Sequence, residues 1–170
     1  MLLQRGCYKG SGMTYATKAT VTFYGWPDNS PPGNAIAHPV IHQVASGDGS
    51  YCDPTTFATE PTRAENKKIP YGTRIYVPYM QKYFIREDDC TRSGPQGLGC
   101  KGLWFDLWIG GDRNSNFGAV IRCENKLTQN NSVPVIINPP DNEPVAWKGS
   151  IYNDTPPPDG SCNVPVGQAL

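Results

Sequence analysis

Hydrophobic and polar positions alternate most clearly between Lys82 and Gly111, which reads KYFIREDDC, a short Gly-rich excursion, then GLWFDLWIGG. A period of two is a strand pattern, because successive side chains leave an extended backbone on opposite faces. Trp104, Asp106 and Trp108 therefore share one face of a strand, and Phe105, Leu107 and Ile109 share the other. The aliphatic face belongs in a core. The opposite face sets a carboxylate between two indoles. Upstream, Tyr83, Ile85 and Glu87 oppose Phe84, Arg86 and Asp88, so Asp88 ends a second half-buried strand. If the two strands are neighbours, Asp88 and Asp106 approach one another.

The rest of the chain is read in the same way. Residues 1–16 keep no period and form an irregular arm. Thr17 to Tyr24 (TKATVTFY) is β-branched and aromatic, the first strand. Gly25 to Asn29 is a turn by its chemistry, prolonged through Gly33. Asn34 to Val44, interrupted by Pro39, gives two short strands or one kinked strand. Thr55 to Ala58 starts a strand or a short helix, and Thr62 to Lys68 after Pro61 is the only helix-like polar segment. Thr73 to Val77, a turn at Pro78 to Gln81 and the return strand Lys82 to Glu87 form a hairpin. Phe117 to Cys123 is a strand or one helical turn, and Ser132 to Asn138 is the last strand. No helical period exceeds two turns. This predicts an all-β chain: an arm (1–16), a barrel domain (17–138) and a Pro/Gly-rich tail (139–170) that needs a disulfide to hold it.

Composition narrows the setting. A chain of 170 residues buries one good core. Fifteen basic and fifteen acidic residues leave no net charge, and so no electrostatic case for nucleic acid or an anionic membrane. Eighteen glycines and seventeen prolines suit many short strands joined by tight turns. No apolar run approaches the roughly 20 residues that span a bilayer. Leu2-Leu3 is too short for a signal core, so any leader is expected to have been removed already. Six cysteines, Cys7, Cys52, Cys90, Cys100, Cys123 and Cys162, point to disulfides and an oxidising, extracellular compartment. They permit fifteen pairings, which the sequence leaves open. Cys90 with Cys100 would staple the Gly-rich excursion, and Cys7 with Cys162 would tie the termini. With no C-x-x-C and only His38 and His42, a zinc site is not expected, nor is any cofactor. Two sequons, at Asn130 and Asn153, fit a secreted protein, and a monomer is expected.

IPYGTRIYV, YFIREDDC and KGLWFDLWIGG together resemble the core of double-psi β-barrels, with KATVTFYG similar to the first expansin strand. The group includes the barwin and expansin proteins, rare lipoprotein A, family-45 endoglucanases and the three-aspartate domain of membrane-bound lytic transglycosylase A. The resemblance covers roughly residues 17–138 and implies a six-stranded double-psi barrel with disulfide-tied, loop-rich termini. It also implies that Asp106 of the F-D-L segment is the acid and that Asp88 is the mid-barrel aspartate. Expansins carry His where this chain has Trp104, and the second acid of the family-45 enzymes has only Asp28 as a loose counterpart. The same barrel is similar to a secreted microbial inhibitor of papain-like proteases.

The expected site is a groove lined by Tyr24, Trp26, Trp104 and Trp108, with Asp106 and Asp88 as catalytic carboxylates. Aromatic faces stack on the apolar C–H faces of pyranose rings, and burial beside indoles raises a carboxyl pKa toward that of a general acid. The expected partner is a cell-wall polysaccharide, bound and loosened or cleaved. A secreted cysteine protease, blocked by the Pro-rich loop Asp28 to Asn34 or by the Cys90–Cys100 excursion, is the alternative, and a non-catalytic secreted effector a third. A strand-end aspartate between indoles is expected to serve structure as well, so that Asp106→Asn weakens both stability and binding.

Overall fold

The computed structural model describes residues 7, 9–60, 68–90, 100 and 102–165. Six strands close into a barrel in the order β1-β5-β2-β4-β3-β6. They are β1 (Tyr15–Tyr24), β2 (Thr55–Thr59), β3 (Arg74–Val77), β4 (Lys82–Asp89), β5 (Trp104–Trp108) and β6 (Val133–Ile137). The barrel is mixed: β1 runs parallel to β5 and β2 to β4, and the other pairs are antiparallel. β1 is long enough to serve two neighbours in succession. Tyr15 to Ala19 pair with β6, and Thr20 to Tyr24 pair with β5.

The inner face is the aliphatic face expected from alternation. Val21, Phe23, Phe57, Ile75, Phe84, Phe105, Leu107, Val135 and Ile137 fill it, all buried. Phe57 and Phe105 meet edge to face at 5.1 Å between centroids, a geometry favoured by the ring quadrupoles. Gly25 ends β1 where space requires it: a Cβ there would lie 2.9 Å from the Gly110 carbonyl and from Val120.

One helix, α1 (Phe117–Leu127), packs against β1. It replaces the strand or single turn expected for Phe117 to Cys123 and runs for three turns. Asn116 caps it by accepting the Ala119 N–H (3.1 Å). Val120, Cys123, Glu124 and Leu127 form its buried stripe.

The stretch Asn34 to Val44 forms neither of the strands expected of it. Its backbone N–H groups go to carboxylates instead of a ladder. Val40, Ile41 and His42 donate to Glu87 Oε1 at 3.2, 2.7 and 2.9 Å, and Ala37 donates to Asp88 Oδ1 at 2.9 Å. Thr55–Thr59 is a strand, and of the helix-like segment Thr62 to Lys68 only Lys68 lies among the described residues.

Beyond β6 the chain stays on the barrel. A small hairpin, β7 (Tyr152–Asn153) with β8 (Ser161–Cys162), places Ile151 and Tyr152 in the core. The Lys82 ammonium, fully buried, donates to the carbonyls of Asp48 (2.9 Å), Trp147 (3.0 Å) and Gly149 (3.0 Å). It also sits 4.2 Å from the centre of the Trp147 ring, which packs on the core as a plug. Three disulfides join Cys7 to Cys52, Cys90 to Cys100 and Cys123 to Cys162. The staple across the excursion is as expected, though residues 91–99 lie outside the described set. The pairing of Cys7 with Cys162 is not formed. β8 runs beside α1, so Cys162 meets Cys123, while the arm passes the 46–53 loop and meets Cys52. Among the described residues no helix is long and apolar enough to cross a membrane.

Candidate functional site

The site lies on the outer wall of the barrel and follows from register. Asp106 pairs with Thr22 on one side and with Ala58 on the other, and Ala58 pairs in turn with Asp88. Partners in register share a face, so Thr22, Asp106, Ala58 and Asp88 make one row across four strands. β4 and β5 are therefore not neighbours; β2 separates them. Two strand spacings put the Asp88 and Asp106 backbones roughly 9.5 Å apart. The residue between them is Ala58, whose single methyl leaves the space above it open.

A bulge decides which acids join the row. Phe57 pairs with Arg86, but Ala58 pairs with Asp88, so Glu87 is an extra residue in β4. The expected alternation of Glu87 against Asp88 fails here, and both carboxylates turn outward. Glu87 is consumed by structure. Besides the three backbone donors it accepts the Thr56 hydroxyl (3.0 Å) and bonds His42 Nδ1 (2.7 Å). His42 Nε2 reaches Asp53 at 2.7 Å. Burial pushes Glu87 up, yet the His42 ring and the backbone donors outweigh it and hold the carboxyl below its usual range. Burial likewise pushes His42 down, and its two carboxylates outweigh that and raise it.

Above the row is a cleft of about 370 Å³, walled by Tyr24, Asp28, Asn29, Pro31, Ile36, Ala58, Asp88 and Asp106 among others. Asp88 is anchored there: Tyr24 donates its hydroxyl (2.8 Å), and Ala37 and Asp89 donate N–H groups (2.9 Å each). Burial still raises its pKa against those donors. Asp106 is held less. Thr22 donates to its Oδ1 at 2.9 Å, and the Trp104 indole N–H donates in turn to Thr22 at 2.7 Å. Burial, with the charges of Asp28 and Asp88 added, pushes Asp106 up to about 7. At neutral pH this carboxyl can both give and take a proton.

The aromatic residues take different places. Tyr24 lines the cleft, while Trp26 and Trp104, both half-buried, are not among its walls, contrary to expectation. Trp108 offers no open face and does not line the cleft: it is 5% exposed, packs edge-on to Tyr24 at 5.3 Å and clusters with Ala45 and Ala58.

Two acids carry more weight than the sequence suggested. Asp28 stands at the cleft rim, its Oδ1 accepting the Gly25 N–H (2.9 Å), and its charge is felt by Asp106. Glu124 sits on α1, which packs on the 26–28 turn that carries Asp28; burial, then Asp28, then Asp106 raise it to about 10. Asp28 was marked by its place after the aromatic pair. Glu124 is marked in the sequence by falling on an apolar stripe of helical period. Among the described residues no group of three or more His, Cys, Asp or Glu is arranged to hold a metal ion.

Fold and site define a disulfide-stapled, closed six-stranded mixed β-barrel with a carboxylate-walled cleft on its outer face. The family model of the DDB_G0273701 N-terminal domain matches residues 16–163, and the chain belongs to that family. It is 34% identical over 126 residues to an uncharacterized protein of Dictyostelium discoideum, DDB_G0273701/DDB_G0273221, which covers 70% of this chain. The chain spans about half (49%) of that relative's length. No solved structure matches.

Proposed function

We propose that the chain is a secreted double-psi barrel of the expansin and barwin kind, which engages a β-linked cell-wall polysaccharide in the cleft above Ala58. The two parallel pairs, β1 with β5 and β2 with β4, support the double-psi reading, and three disulfides support an oxidising compartment. The observation that carries the proposal is Asp106: one hydroxyl donor, a raised pKa and a place on an open cleft. Those are the requirements for a proton donor to a glycosidic oxygen. Asp28 supplies the second carboxylate at the rim. Asp88, with three donors, holds the 35–37 strap over the cleft. The loop Asp28 to Asn34 folds onto this cleft, with Asn29 donating to the Gly33 and Ala35 carbonyls, which favours a sugar site over a projecting inhibitory wedge.

The test is retention on insoluble cellulose, chitin and peptidoglycan, with soluble sugar ends assayed in parallel. Ala58→Leu fills the cleft and is expected to abolish retention, at a stability cost of about 1–3 kcal/mol from overpacking. Asp106→Asn is expected to keep retention and to abolish any release of sugar. A wild-type protein retained on none of the three polymers sinks the proposal.

A further inference from the structure

Every position on the buried stripe of α1 is apolar or a cystine except Glu124, which is 6% exposed. Such a position strongly disfavours a bare charge, so the carboxyl needs a reason to be there. One of its oxygens, Oε1, is buried and meets no hydrogen-bonding partner among the described residues. The helix packs on the 26–28 turn after β1, which carries Asp28, and the charges the side chain feels are those of Asp28 and of Asp106, from β5. Both are negative. The one arrangement that satisfies a buried acid against a carboxylate is a shared proton, with the acid as donor.

We infer that Glu124 is a positioning residue: a neutral carboxylic acid that donates its proton to Asp28 and fixes the Asp28 carboxylate at the cleft rim facing Asp106. This deepens the reading of the cleft as a sugar site and rests on it only for the use made of Asp106. The link to Asp106 runs through charge. Asp28 acts on Asp106 more strongly than Asp88 does, so holding Asp28 in place helps hold the Asp106 pKa up. An acid on a helical stripe sets the rim carboxylate, and the rim carboxylate sets the proton donor.

The experiment is a carbon-detected NMR pH titration of side-chain carboxyls in the wild type and in Glu124→Gln, Glu124→Leu and Asp28→Asn. In the wild type one glutamate carboxyl is expected to titrate several pH units above the ordinary range, and it is expected to vanish in Glu124→Gln. The Asp106 midpoint is expected to stay in place in Glu124→Gln, whose amide still donates to Asp28, and to move in Glu124→Leu, which cannot. Asp28→Asn removes a negative neighbour, so the Glu124 midpoint is expected to fall. That arm stands even if the leucine variant does not fold. A Glu124 that titrates in the ordinary range, or an unmoved Glu124 in Asp28→Asn, overturns the inference. So does an Asp106 midpoint that is the same in the folded glutamine and leucine variants. Polymer retention on the same samples separates the two ideas, since its absence removes the sugar reading and leaves the carboxyl coupling intact.

Discussion

Glu87 and Asp106 lie on the same outer wall and are both largely removed from water, yet their surroundings push them in opposite directions. Glu87 receives five hydrogen bonds, three from one turn of backbone, one from Thr56 and one from His42. Asp106 receives one, from Thr22. Donors stabilise the charged form, burial and like charges disfavour it, and their balance sets the direction. At Glu87 the donors win and the group becomes a fixed anion that organises a loop. At Asp106 burial wins and the group becomes a titrating acid beside open space. Two carboxylates on one wall thus divide into structure and chemistry through what surrounds each of them.

The contrast is broken most strongly by removing the organising anion. Glu87→Ala strips the partner from three backbone N–H groups, Thr56 and His42 at once, and is expected to cost ~3–5 kcal/mol in chemical denaturation. A cost below 1 kcal/mol would show that the 37–42 loop does not depend on this carboxylate.

Asp106→Asn sharpens the contrast through pH. A raised folded pKa makes the aspartate's favourable contribution complete below the unfolded value of about 3.9 and loses it as pH rises through about 7. The asparagine variant is therefore expected to match the wild type near pH 4. It should exceed it by about 1–3 kcal/mol at pH 8, a figure discounted for the solvent at the cleft. This reverses the loss of stability that the sequence suggested, because Asp106 accepts a side-chain hydroxyl and not a set of backbone N–H groups. A lower melting temperature for the variant at pH 8 would contradict the assignment.

The smallest effect is expected at His42. Its pKa is raised, so the bridge between Glu87 and Asp53 is complete below the unfolded value of about 6.5 and is lost as pH rises through the folded one. His42→Gln is expected to cost ~1–2 kcal/mol at pH 5.5 and clearly less at pH 9. An equal cost at both values would mean that packing, and not charge, is what His42 contributes.

The legible part of this fold is what period and composition can carry. The alternation in Trp104 to Ile109 separated core from wall correctly, and the hairpin through Pro78 to Gln81 stands with its strands in place. The bulge at Glu87 was not legible, because it depends on β2 lying between β4 and β5, a long-range pairing that no local pattern reports. The same pairing explains Trp108, which faces outward as alternation requires but lies under the 34–45 strap. Glu124 was within reach. Asn116 as a cap and an apolar stripe at positions 120, 123 and 127 spell a helix, and an element ending at Cys123 falls one residue short of the acid.

Lys82 carries a consequence for chemistry at the far end of the barrel. Its amine faces three carbonyl oxygens under an indole, and burial brings its pKa down to about 8. A nitrogen with all its hydrogens engaged and no path to solvent is a poor nucleophile toward acylating reagents, whereas Lys9, with 74% of its side chain exposed, is an open one. Acylation of Lys82 therefore has to wait for the 147–149 segment to lift, and its lag behind Lys9 times that opening. The buried ammonium is a covalent clock for the departure of the C-terminal segment from the barrel.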